Sequence, residues 1–389
     1  MTARHYLLLL AFGALASASP AQTIAASAPP KPQSLRAAAG ESLLIGCAAS
    51  ALDLQNPKLV AMILQHFSAL TAHRDMMPAL MVDDQGQYTF EAGDAVAQFA
   101  QEHQLAFYGH MLLWQHLSRD WLFKEKDGSP LPREKALANL RGFIDTVVRH
   151  YRGKVKSWDV VNEALSDDDG EYLRDTPARR AIGDDFIVQA FAFAHAADPD
   201  AELYYNDYNI ELPGKRAKTL RLLRELRAAG VRVDAIGIQG HWMLDGPAPG
   251  VISDAIREFH DAGYKVMITE LDVDVLPRTV SGANMETVEH GPNPYPDGLP
   301  DDMQQRLATR YGELFDAMLK PPGVTMITFW GSHDGRSWLN NFPVKNRTNH
   351  ALLFNRALEP KPAFQAVLES LERAKQRQRS TTSASHHVP

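Results

Sequence analysis

The sequence predicts an α/β protein folded as a single (β/α)8 barrel, and three observations carry that prediction. Eight short segments rich in branched and aromatic residues alternate with stretches of helical periodicity along most of the chain. Eight strands, each followed by a helix, imply a parallel sheet, and that number of units closes on itself. An open doubly wound sheet usually carries a glycine-rich phosphate turn after its first strand, and none is present. The 389 residues leave room for two domains, yet such barrels run past about 250 residues as one. No internal repeat is visible.

Taken in order, strands are predicted at Leu43–Ala49, Phe67–Ala72, Ala106–Trp114, Ser157–Ala164, Ala201–Tyr208, Ala235–Trp242, Lys265–Val273 and Val324–Trp330. Helical periodicity is clearest at Arg133–Tyr151, Asp184–Ala197, Gly214–Ala229, Ile252–Ala262 and Met303–Lys320. Pro213 opens one helix, and Gly230 and Gly263 fall just past the ends of two others. The fourth strand, SWDVVNEA, is apolar on both faces through Trp158, Val160 and Val161, as a buried parallel strand should be. It ends in Asn162 and Glu163. A carboxylate there needs a task or a partner, and taken alone it reads as half of an ion pair.

The ends of the chain differ from its middle. The first 21 residues carry Arg4, an apolar stretch from Tyr6 to about Leu15, then small residues that fit a cleavage site. The apolar core is too short to span a bilayer, so residues 1–21 are expected to be a secretory signal peptide. That implies a secreted or periplasmic protein with no membrane association after cleavage. Residues 22–40, rich in Ala, Pro and Ser, read as a linker, and 41–373 as the folded (β/α)8 domain. Residues 374–389 are polar and read as a disordered tail.

Composition narrows the function classes. With 45% hydrophobic and 22% charged residues the chain suits a soluble globular protein. A net charge of −7 without a basic block argues against nucleic acid and against an anionic membrane surface. The single cysteine, Cys47, lies in the apolar run LLIGCAA and reads as a buried small hydrophobe. The core must therefore stand without an internal disulfide. Leu276–Pro300, rich in Pro, Gly and Asn, reads as a long functional loop in which Tyr295 either stacks on a ligand or pins the loop.

In a barrel of this kind chemistry sits at the C-terminal strand ends. Those ends hold His110 and Trp114, then Asn162 and Glu163, then Asn206, Asp207 and Tyr208, then Gln239 and His241. Glu270 and Asp272 follow, then Trp330 with Trp338 just beyond. Each has an ordinary structural reading alone; their shared location does not. Two glutamates across the mouth are what glycoside hydrolysis needs: a protonated acid for the leaving oxygen and a carboxylate opposite. Tryptophans suit the apolar C–H faces of sugar rings. The histidines alternate with amides and tryptophans instead of clustering, so no metal or other cofactor is expected.

The motifs SWDVVNEA, LYYNDYNIE, GIQGHW, ITELDV and TFWGSHDGRSWL, in that order, resemble those of glycoside hydrolase family ten. These are endo-1,4-β-xylanases that fold as TIM barrels, and GHMLLW is similar to their third-strand motif. The resemblance runs from about Leu43 to Leu371. It implies a retaining mechanism on xylan or related oligosaccharides, with Glu163 as general acid/base and Glu270 as nucleophile. It also implies that Glu163 is held protonated, partly by repulsion from Glu270, and that His241 and Asp272 orient Glu270. Asn162 and Gln239 would bond the sugar hydroxyl beside the reacting carbon. A monomer is expected.

The second strand departs from that pattern. The family places a glutamate, an asparagine and a lysine on the sugars at the non-reducing side. Here TAHRDMMP puts His73, Arg74 and Met77 at those places, and Gln115 replaces a histidine after Trp114. Either neighbouring loops compensate or the register differs by a residue, or these subsites take a decorated or carboxylate-bearing sugar. A same-fold glycosidase for another β-glycan and a non-catalytic carbohydrate-binding barrel are the rival readings. Both glutamates being present argues against the second.

Overall fold

A computed structural model of the protein describes residues 34–277 and 287–385. The strands are β1 (Leu44–Ala49), β2 (Ala69–Ala72), β3 (Ala106–Gly109), β4 (Ser157–Asn162) and β5 (Glu202–Asp207). They continue as β6 (Ala235–Ile238), β7 (His241–Met243), β8 (Lys265–Asp274) and β9 (Val324–Phe329). Helices α1 (Leu35–Ala39), α2 (Pro57–His66), α3 (Pro78–Met81) and α4 (Glu91–Glu102) precede α5 (Arg133–His150) and α6 (Pro177–Ile182). They are followed by α7 (Phe186–Ala197), α8 (Pro213–Ala228), α9 (Pro249–Asp261), α10 (Asp301–Met318) and α11 (Pro362–Ser385).

Every strand pairing is parallel, and the ring closes: β1 to β6 pair in sequence, β6 pairs with β8, β8 with β9, and β9 with β1. This is the predicted (β/α)8 TIM barrel. A small cluster that includes Tyr108 of β3, Tyr204 of β5, Met267 of β8 and Met326 of β9 is separate from the larger core between strands and helices. Above it the inward positions turn polar, with Asp159, Asn206 and Thr328 buried. Gly237 makes room for one of them, since a Cβ there would lie 2.4 Å from Asn206 Oδ1.

The predicted strands are all present, but several stop short of their polar ends. The third stops at Gly109, after which Leu112 N donates to Asp159 O and Asn162 N to Leu113 O. The sixth breaks at Gly240, whose φ of +83° ends the ladder. His241–Met243 then restarts as β7 against the long β8, pairing His241 with Asp272. The strand ends thus leave regular pairing where side chains must converge.

Two boundaries need correction. The expected linker to residue 40 ends in α1, whose Leu35 is fully buried against the core. The expected disordered tail from 374 lies partly inside α11, where Ala374 is buried and Lys375 Nζ donates to Ala37 O at 3.1 Å. Helix-forming residues continue α11 where low apolar content suggests disorder. Residues 1–33, which include the expected signal peptide, and residues 386–389 lie outside the described residues. So do 278–286 of the long loop. Tyr295 packs against the core and accepts a hydrogen bond from His350 Nε2 through its carbonyl, 3.0 Å away, which pins the loop.

Candidate active site

Glu163 follows β4 in a left-handed backbone conformation, φ +57°, which a non-glycine residue keeps only when its surroundings hold it there. They do. Its N–H donates to Asn206 O at 2.9 Å. The next two amides, of Ala164 and Leu165, both donate to the Tyr205 hydroxyl, at 3.0 and 3.1 Å. That hydroxyl donates in turn to Asp207 Oδ2 at 2.6 Å, and Lys215 Nζ reaches Asp207 Oδ1 at 2.7 Å.

The Glu163 carboxyl is buried, with Oε1 accepting from Gln239 Nε2 at 2.9 Å and Oε2 from Trp114 Nε1 at 2.8 Å. Burial, and after it the charge of Asp207, pushes its pKa up to about 7. Repulsion from Glu270 adds to this as the smallest of these causes, so it acts in part, as expected.

Glu270 lies opposite on β8. Its Oε1 accepts from Asn206 Nδ2 at 2.8 Å, and His241 Nε2 stands 3.3 Å from Oε2. Burial would raise its pKa, but the charges and hydrogen bonds of His110, His241 and Asn206 outweigh that and hold it below the usual carboxylate value. His241 Nδ1 lies 3.1 Å from Asp272 Oδ2, which also accepts from Trp338 Nε1 at 2.7 Å. Burial works against the imidazolium, yet Asp272 and Glu270 raise His241 to about 10. A protonated His241 therefore sets one ring nitrogen beside each carboxylate.

An amide bridge joins the two halves. Asn206 Nδ2 and Gln239 Nε2 each lie 3.1 Å from Asn162 Oδ1, while Thr269 Oγ1 donates to Asn206 Oδ1 at 2.6 Å. These contacts fix which end of each amide carries the donor. The buried partner of His110 is Asp159, 3.0 Å away.

The glutamates open into a cleft of about 950 Å³. Of the residues singled out from the sequence, His73, Arg74, Met77, His110, Trp114, Asn162, Glu163, Tyr208, Gln239, His241, Glu270, Trp330 and Trp338 line it, whereas Gln115, Asn206, Asp207 and Asp272 do not, the last standing behind His241. His110 meets the Trp330 ring edge-on with centroids 4.9 Å apart, and Trp338 stacks on Phe342 at 5.1 Å. Tyr208 lies over Lys215, whose Nζ is 3.8 Å from the ring centroid, and its hydroxyl meets Asp167 and Arg174.

The profile of glycosyl hydrolase family 10 matches residues 34–370. The chain belongs to glycosyl hydrolase family 10. It is 37% identical over 341 residues to the endo-1,4-beta-xylanase A of Xylanibacter ruminicola, covering 86% of this chain and 92% of that one. It is 35% identical over 338 residues to the endo-1,4-beta-xylanase of Geobacillus stearothermophilus, covering 86% and 98% respectively. A GH10 endoxylanase retrieved from a sugarcane soil metagenome superposes with a TM-score of 0.82 at 35% identity, covering 86% of this chain and 99% of that structure.

Against this family-10 framework, sequence reading missed residues that never touch the cleft. Tyr205, Thr269 and Asp159 sit inside strands among apolar neighbours, and Lys215 lies on α8. A tyrosine or threonine in a strand is ordinary by propensity, so nothing local flags it. A lysine in a helix is equally unremarkable, and only its burial beside Asp207 gives it meaning. The tryptophans were expected as platforms; Trp114 and Trp338 also donate to buried carboxylates.

Proposed function

We propose that this glycoside hydrolase is a retaining endo-1,4-β-xylanase, acting without a cofactor. The observation that carries the reading is the opposed tuning of two facing carboxyls, Glu163 raised to about 7 and Glu270 lowered. Opposed shifts assign acid and nucleophile. The relatives' names supply the substrate class.

In this reading Glu163 protonates the glycosidic oxygen as Glu270 attacks the anomeric carbon, giving a glycosyl ester on Glu270 and a free aglycone. Glu163, now ionised, takes a proton from water, whose oxygen attacks the same carbon and releases Glu270. Retention requires the carboxyls to stand about 5–5.5 Å apart. Asn206 and His241 hold Glu270 ionised and aimed. The Asn162 and Gln239 amides, oriented by their bridge, offer hydrogen bonds to the neighbouring sugar hydroxyl, contacts that strengthen in the transition state.

The chain works as an exported monomer, its first 21 residues serving as the leader. Mass spectrometry of protein recovered outside the cytoplasm should give a mature start near residue 22, and an intact Met1 there would refute export by cleavage. For the activity, xylan and a panel of β-glycans are digested and the new ends followed by proton NMR. Internal cleavage of xylan with β-anomers appearing first is expected. First-formed α-anomers, or preference for another glycan, would overturn the reading.

A further inference from the structure

The cleft wall built by the loops after β1 and β2 differs from the rest of the site. Six arginines and carboxylates line the whole cleft: Asp53, Arg74, Asp75, Glu163, Glu270 and Arg336. Five are engaged. Arg336 pairs with Asp53, Asp75 Oδ2 accepts from Ala51 N at 2.6 Å, and the two glutamates are held as described. Arg74 is exposed, and its guanidinium makes no hydrogen bond or ion pair among the described residues. The neighbouring surface is apolar. Leu52 and Leu80 line the same cleft with 63% and 47% of their surface exposed, and Met77 packs with Met111 and Trp114. His73 is tied up against Trp330, with ring centroids 5.3 Å apart.

A neutral pentose chain offers an unpaired cation no opposite charge, and its hydroxyls gain little from exposed leucines. A sugar carrying a carboxylate matches both features, because an arginine fork pairs with a carboxylate through two parallel hydrogen bonds. The C–H face of such a sugar is apolar and can lie on Leu80 and Met77. We propose that this wall is a subsite for a uronic acid side group on the substrate chain, with Arg74 as its carboxylate partner. The inference rests on the xylanase reading. The subsite lies on the side that the family resemblance assigns to the glycone, so the enzyme selects where on a branched chain it cuts. Burial and the neighbouring His110 hold His73 down at about 4, so it adds a neutral hydrogen-bonding ring at working pH.

The test compares kcat/KM on linear, arabinose-branched and glucuronate-branched xylo-oligosaccharides for the wild type and Arg74→Gln. The expected wild-type products of the third substrate carry the uronate on a glycone-side unit. In Arg74→Gln the ratio of uronate-branched to linear turnover should fall about tenfold to a hundredfold, the range for a lost hydrogen bond to a charged group. The arabinose-to-linear ratio should hold, which separates charge recognition from a general loss of fit. An unchanged uronate ratio, or an equal fall with arabinose, overturns the subsite while leaving the xylanase reading intact. A wild type that cleaves none of the three overturns both. A direct check uses Glu270→Gln, where hydrolysis is blocked. The uronate-branched oligosaccharide should bind more tightly than the linear one by calorimetry, with the advantage shrinking as salt rises; equal affinities at low salt would also overturn the subsite.

Discussion

The rim formed by β4 to β8 and the wall formed by the loops after β1 and β2 share one cleft and are built on opposite plans. On the rim nearly every polar atom near the glutamates has a partner inside the protein: Asn162, Asn206, Gln239 and His241 hold one another and both carboxyls. On the wall Asp53 and Asp75 are engaged, but Arg74 has no side-chain partner among the described residues, and Leu52 and Leu80 are exposed beside it. A preorganised network costs no rearrangement when charge develops in the transition state. Groups left without partners in the free protein are available to a ligand instead. Bond breaking is written into the first region and selection of the chain into the second.

That contrast can be broken in several places. Glu270→Ala should cost the most, about ten-thousandfold or more in kcat on any glycan, because the nucleophile is lost. Turnover assays on xylan measure it, and a residual rate within tenfold of wild type would remove Glu270 from the mechanism. Glu163→Gln should lower kcat about a hundredfold to ten-thousandfold on unactivated substrates, the usual share of general acid–base catalysis. Aryl glycosides whose leaving groups need no proton should be spared in the first step. A uniform loss across both substrate types would contradict the acid role.

A smaller effect is expected at Asp207, which touches no substrate. The acid must be protonated to act, so activity is present below the raised pKa of Glu163 and is lost as pH rises through about 7. Asp207→Asn removes a charge that raises that pKa, so the alkaline limb of the pH–rate profile should move to lower pH while the acid limb stays. A limb that stays fixed would sever Asp207 from Glu163. The smallest change expected is in the wall. Met77→Lys places a donor where the family carries one and should lower KM on linear oligosaccharides about threefold, one modest hydrogen bond, with kcat held. A loss of kcat instead would mean that wall and rim are not separable.

How far the sequence exposes these regions follows from what each depends on. The barrel was legible because burial periodicity is local, and Trp158, Val160 and Val161 mark a two-sided strand without knowledge of any partner. Glu163 and Glu270 were legible as carboxylates at strand ends. Their tuning was not. Tyr205, Asp207 and Lys215 are brought to the backbone after Glu163 by β5 and α8, and their contacts span up to 41 positions along the chain. The break at Gly240 was missed because an apolar run continues on both sides, and only the length of β8 explains why pairing resumes at His241. Likewise, α1 is a short Ala-rich stretch that gains a structure from Leu35 burying against elements distant in sequence.

The seam of the barrel lies between β1 and β9, and α1 rests against α11, so the earliest and latest parts of the described chain are immediate neighbours. The first strand made therefore waits, with one edge unpaired, for almost the whole remaining chain to follow. An open parallel edge is both slow to satisfy and prone to pairing with another chain. A chain that stops short of β9 therefore leaves exposed the β1 edge that the closed ring covers.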